Sequence, residues 1–176
     1  RGLRRGELVT FCAGSGVGKS QVCRQIADSL LQSGEKVGYI ALEENVQRTV
    51  EGLMSLRIGE AIHLDMTDWS DLSDKEQKRR KKAYEELKGL YCYDHFGSID
   101  SQNLLNRIRF LAKACDVHWV ILDHLTIMSS AFADGDERRM IDTTMTKLRS
   151  LVERTGIVMF LVSHLRRTNN DKNHEE

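Results

Sequence analysis

Residues 13 to 20, Ala13-Gly14-Ser15-Gly16-Val17-Gly18-Lys19-Ser20, lie between an apolar run and a stretch with helical periodicity. The run Leu8-Val9-Thr10-Phe11-Cys12 has the composition of a short buried strand, and Gln21 to Gln32 repeats its apolar positions every 3.6 residues. Strand, glycine-rich turn and helix in that order constrain the chain to an α/β architecture with a phosphate cradle at the strand tip. Glycines at 14, 16 and 18 allow a tight bend that aims successive N–H groups inward, and the helix start adds partial positive charge. The spacing assigns Lys19 to the β- and γ-phosphates of a nucleotide and Ser20 to Mg²⁺, as in a Walker A loop. One departure stands in the pattern G-x-x-x-x-G-K-S: its first glycine is replaced by Ala13, a residue small enough to fit. A purely structural turn would have no use for Lys and Ser directly after the last glycine.

The rest of the chain repeats the alternation. Val37–Leu42, Leu90–Tyr93, His118–Asp123 and Ile157–Val162 read as further strands, and 46–57, Ser73 through Lys88, 101–114 and 137–154 read as helices. Residues 58–73 and 124–136 read as irregular, with Asp65, Asp68 and Asp71 solvated, and Ser73 with Glu76 has the spacing of a capping box. Strands that are apolar throughout, alternating with helices, imply a mainly parallel sheet covered by helices on both faces. At 176 residues one such domain is expected, residues 1–176.

In such a sheet, ligands bind at the C-terminal ends of the strands. Lys19, Glu43, Asp123 and His164 all follow or close strands and become candidate neighbours. Asp123 ends its strand in the manner of a Walker B acid, which would hold Mg²⁺ together with Ser20. Glu43 stands where a base could polarise the water that attacks the γ-phosphate, and of Glu43 and Glu44 at most one is expected to face the nucleotide. His164 closes the last strand, where it could contact the γ-phosphate or serve simply as a hydrogen-bonded strand end. His63, His95, His118 and His124 read as structural.

Charge and composition exclude several classes. Twenty-six basic and 26 acidic side chains cancel, so no overall field draws the chain to nucleic acid and any such binding must be local. Nothing in the sequence approaches a bilayer span or a signal peptide, which points to the cytoplasm. Cys12, Cys23, Cys92 and Cys115 lack zinc-binding spacing and read as buried free thiols. The run Lys78-Arg79-Arg80-Lys81-Lys82 reads first as a charged outer helix face and second as a phosphate contact, since no aromatic interrupts it.

The ordered set Gly14–Ser20, Leu42-Glu43-Glu44, Val120–His124, Asp136–Asp142 and Ser163-His164-Leu165 resembles the motor core of ring-shaped replicative helicases. It is most similar to bacteriophage primase-helicases and mitochondrial Twinkle, with bacterial DnaB-type helicases further off. The resemblance runs from about Leu3 to Glu176. It implies a RecA-like P-loop NTPase fold, ATP or another NTP or dNTP as fuel, Mg²⁺ on Ser20 and Asp123, Glu43 as catalytic base and His164 as phosphate sensor. It also implies a hexameric ring, 5′-to-3′ movement on single-stranded DNA, duplex unwinding in DNA replication, and primase or polymerase as partner classes, in a bacterial or phage-infected cytoplasm. Arg138, Arg139, Arg166, Arg167 and Lys172 become candidate DNA contacts in the loops that face the ring channel. The same resemblance places the family's arginine finger and last core strands further along than Glu176, so weak hydrolysis is expected of this stretch by itself. A RecA-like strand-pairing or clamp-type DNA-binding ATPase, and more remotely a small-molecule kinase, remain open on the residues alone.

Overall fold

The computed structural model describes residues 2–14, 16–94, 101–124 and 134–164, except for the side chains of 134–138, 140 and 164. Five strands, β1 (Leu8–Ala13), β2 (Val37–Ala41), β3 (Leu90–Cys92), β4 (Trp119–Asp123) and β5 (Val158–His164), form one sheet. Its order is β1-β5-β4-β2-β3 and every pairing is parallel. Five helices connect the strands: α1 (Lys19–Gln32), α2 (Val46–Ile58), α3 (Asp74–Glu85), α4 (Ser101–Ala114) and α5 (Asp134–Thr155).

The continuous apolar strands are explained by two cores. On β2, Ile40 joins a cluster with Leu104, Ile108 and Leu148, from α4 and α5. Its neighbours Tyr39 and Ala41 join a second cluster with Cys23, Ala27 and Leu53, from α1 and α2. The same alternation runs through β4 and β5, where Leu122 and Leu161 face one way and Ile121 and Phe160 the other. Successive strand side chains point to opposite faces, so a strand buried on both sides must be apolar at every position.

Between β1 and β2 the chain crosses β5 and β4, and α1 packs against β2, β4 and β5 on the way. This crossing sets the helix that follows the glycine turn directly under the tip of β4. Gly34 ends α1 at φ 81°, the left-handed conformation expected of a helix stop.

Several sequence expectations shift. The helix expected from 137 starts at Asp134, and the one expected to run to Lys88 ends at Glu85. Only half of the capping box forms: Ser73 Oγ accepts from Glu76 N–H at 3.3 Å, while the Glu76 carboxylate turns to Arg79 and Arg80. Asp65 is not merely solvated, because it accepts from Thr67 and pairs with Arg80; these bonds hold its carboxyl down at about 2. The 78–82 run is an outer face, as first read, with Arg79 paired to Glu60 and Lys82 to Glu86. Cys23 is buried, but Cys12 is exposed, being on β1 at the edge of the described sheet.

Candidate nucleotide site

Gly16 and Gly18 adopt φ 80° and 85°, which side chains with a Cβ rarely accept, and Gly18 caps the start of α1. Chain neighbours apart, no atom of the described residues lies within 4 Å of where a Cβ would stand on Gly14, Gly16 or Gly18. The loop therefore bends around open space at a helix N-terminus, the setting in which backbone N–H groups bind phosphate. Lys19 Nζ donates to the carbonyls of Ala13 and Gly14 at 3.0 and 2.5 Å, so its charge stays at the loop mouth. Ser15 lies outside the described residues.

Opposite the loop, a cleft of ≈ 390 Å³ is lined by Ser20, Glu43, Glu44, Asn45, Arg48 and Asp123. The sheet register brings these together: Ala41 pairs with Asp123, and Leu42 N–H donates to the Asp123 carbonyl at 2.5 Å. Just past these tips α2 begins, with Asn45 capping it by accepting from Arg48 N–H at 2.8 Å. On the other side Ala13 pairs with His164, so the start of the loop and the end of β5 are adjacent in backbone; the His164 side chain lies outside the described residues.

Asp123 is 5% exposed and lines the same cleft as Ser20. Its Oδ1 is buried with no hydrogen-bond partner among the described residues. A buried carboxylate oxygen lacking a donor, beside a hydroxyl, is a donor set of hard oxygens that fits Mg²⁺ bound partly through water. Burial raises the Asp123 carboxyl above the ordinary carboxylate range, with Ser20 and His124 opposing the rise and Glu43 and Glu44 adding to it.

A carboxyl whose folded pKa is raised costs stability once ionised; the cost is full above the folded pKa and fades as pH falls toward the unfolded value. At neutral pH, Asp123→Asn removes that cost. Without nucleotide it should raise stability by about 1 kcal/mol, or about 2–4 °C in Tm, while Mg²⁺-dependent turnover is lost. Calorimetry of the nucleotide-free protein checks this, and an unchanged or lower Tm would contradict it.

The adjacent carboxylates Glu43 and Glu44 both line the cleft but have different partners. Glu44 turns inward, where Arg24 from α1 donates to both of its oxygens at 2.8 and 2.6 Å and Thr49 donates at 2.9 Å. Glu43 stays about half exposed at the cleft, and His124 Nε2 lies 2.8 Å from its Oε1. His124 reads as structural in the sequence, yet it is 5% exposed and touches the candidate base. Its position directly after a Walker B acid is the one available signal. Beneath the cleft, burial pushes the Cys23 thiol up to about 12 and the Tyr39 hydroxyl well above its usual range, so neither ionises near neutral pH.

Arg139 is exposed on α5; the side chain of Arg138, and Arg166, Arg167 and Lys172 altogether, lie outside the described residues. No helix among the described residues is long and apolar enough to cross a membrane.

A family model described as DnaB-like helicase C terminal domain matches residues 1–176. A DNA helicase/primase of Enterobacteria phage T3 is 36% identical over 181 residues, which cover 99% of this chain and 31% of that protein. The chain thus spans less than a third of that relative's length. Among solved structures, one described as an ATPase domain matches with a TM-score of 0.80 at 16% identity, over 97% of this chain and 61% of the other. A DnaB-like replicative helicase, solved in a study of its interactions with primase, matches at 0.78 and 16%, over 97% and 41%. A KaiC-like protein from Pyrococcus horikoshii OT3 matches at 0.66 and 18%, over 92% and 62%. These likenesses make the fold that of a RecA-like ATPase domain.

Proposed function

This chain belongs to the family of DnaB-like helicase C-terminal domains, and from that we propose that it is the NTP-hydrolysing motor of a replicative helicase that moves 5′ to 3′ on single-stranded DNA and parts the duplex. The observation that carries the reading is the convergence of Ser20, Asp123 and Glu43 on one cleft at the mouth of a glycine loop.

In this reading residues 13–20 wrap the phosphates of ATP or another NTP or dNTP, and Lys19 leaves its loop carbonyls for the β- and γ-phosphates. Ser20 and Asp123 hold Mg²⁺, which when bound neutralises charge on the phosphate oxygens. Glu43 orients the attacking water and accepts its proton, since phosphoryl transfer asks a protein for positioning and charge placement. His164, beside Ala13 in the sheet, senses the terminal phosphate. The assembly is a hexameric ring, and Arg138, Arg139, Arg166, Arg167 and Lys172 contact the strand in its channel. The relative from phage T3 is named a helicase/primase, which supports primase as a partner class.

Turnover by the full-length protein should rise on adding single-stranded DNA. With no net charge on the chain, the affinity must come from local cations. Each true phosphate contact replaced by Ala should flatten the log–log salt dependence of binding by about 0.7. Turnover indifferent to single strands would remove the motor assignment. Open filaments in place of closed rings by electron microscopy would favour a strand-pairing ATPase.

A further inference from the structure

The side chain of a glutamate has three rotatable bonds, and ordering it costs about 1.5–2 kcal/mol of rotamer freedom. Glu43 is half exposed, so solvent alone would leave its carboxylate spread over several directions. Its backbone is fixed by the ladder between β2 and β4, through the Ala41–Asp123 pair and the Leu42-to-Asp123 bond. Its carboxylate meets His124, which extends from the neighbouring strand tip, is itself buried, and approaches Oε1 to 2.8 Å. Glu44 cannot take over the task, because Arg24 and Thr49 hold it inward.

We propose that His124 is a positioning residue for hydrolysis: its Nε2–H donates to Glu43 Oε1 and keeps that carboxylate aimed at the attacking water. The inference rests on Glu43 acting as proposed above. The effect is assigned to the His124–Glu43 contact, which predicts that nucleotide binding does not depend on His124. A misplacement of about 1 Å in a catalytic group can cost about 10²-fold in rate.

The test is steady-state hydrolysis by the full-length protein on single-stranded DNA, with nucleotide affinity measured separately using a fluorescent analogue. His124→Leu should lower kcat by about 10- to 100-fold and leave KM and nucleotide affinity unchanged. His124→Gln, whose amide can still donate, should recover most of the loss. Adding His124→Leu to Glu43→Gln should slow the enzyme no further, since a residue acting through Glu43 has nothing left to position.

If His124→Leu keeps full kcat while Glu43→Gln abolishes turnover, the positioning role falls and the motor reading stands. If His124→Leu weakens nucleotide binding along with kcat, or Gln rescues no better than Leu, the histidine is a packing residue and the proposal falls. Turnover that survives Glu43→Gln overturns both.

Discussion

Glu43→Gln should leave the domain as stable as before and remove about 10²–10⁴ of its turnover, the range of a lost general base. Glu44→Gln, one residue on, should do the reverse. Glu43 is half exposed, so an isosteric amide there disturbs little packing. Glu44 is the only carboxylate that pairs with Arg24 among the described residues, and the two side chains are 17% and 8% exposed. Removing one charge of a buried pair leaves the other uncompensated, at a cost of about 3–5 kcal/mol. Because Gln keeps part of the hydrogen bonding, about 2–4 kcal/mol is expected for Glu44→Gln. Urea unfolding and NTP turnover, measured on both variants, resolve the pair. If Glu44→Gln were the dead enzyme and Glu43→Gln the unstable protein, the assignment of base and brace would be inverted.

The difference between the two glutamates marks where sequence reading stops. Two-sided burial leaves a trace in the chain, so all five strands can be found from apolar runs and the glycine turn from its spacing. Asp123 is visible too, since a carboxylate is an odd ending for a buried strand. The period of two separates the glutamates, but which of them is tied inward is decided by Arg24, twenty residues earlier on α1. Nothing local marks an arginine as the partner of a later strand tip. Asp65 escapes for the same reason: its partner Arg80 comes from a separate helix. His124 escapes because a lone histidine carries no periodic signal, and its meaning arises only when β2 and β4 pair. At α5, residues 124–136 read as irregular, yet the helix already begins at Asp134.

Gly52 provides the second large effect, with a sign opposite to what helix propensity suggests. It sits inside α2, where glycine costs about 1 kcal/mol relative to alanine, so Gly52→Ala would ordinarily stabilise. A Cβ at this position, however, would stand 2.5 Å from Arg24 Nε, 2.7 Å from Cζ and 2.9 Å from Cδ. Arg24 cannot yield cheaply: its guanidinium is tied to Glu44, and its Nε is already buried with no hydrogen-bond partner among the described residues. Either the guanidinium leaves Glu44 or α2 moves off α1, and overpacking of that kind costs about 1–3 kcal/mol while full loss of the pair costs about 3–5. These outweigh the propensity gain, so Gly52→Ala should destabilise by about 1–3 kcal/mol net, read as a lower urea midpoint at constant slope. The origin of the loss is checked by repeating the substitution where the pair is gone. In an Arg24→Met/Glu44→Leu background, which replaces a buried ion pair by apolar side chains, Gly52→Ala should become favourable by about 1 kcal/mol. Loss of similar size in both backgrounds would place the crowding elsewhere, and a gain in the parent protein would mean that Arg24 does not hold α1 and α2 together through Glu44.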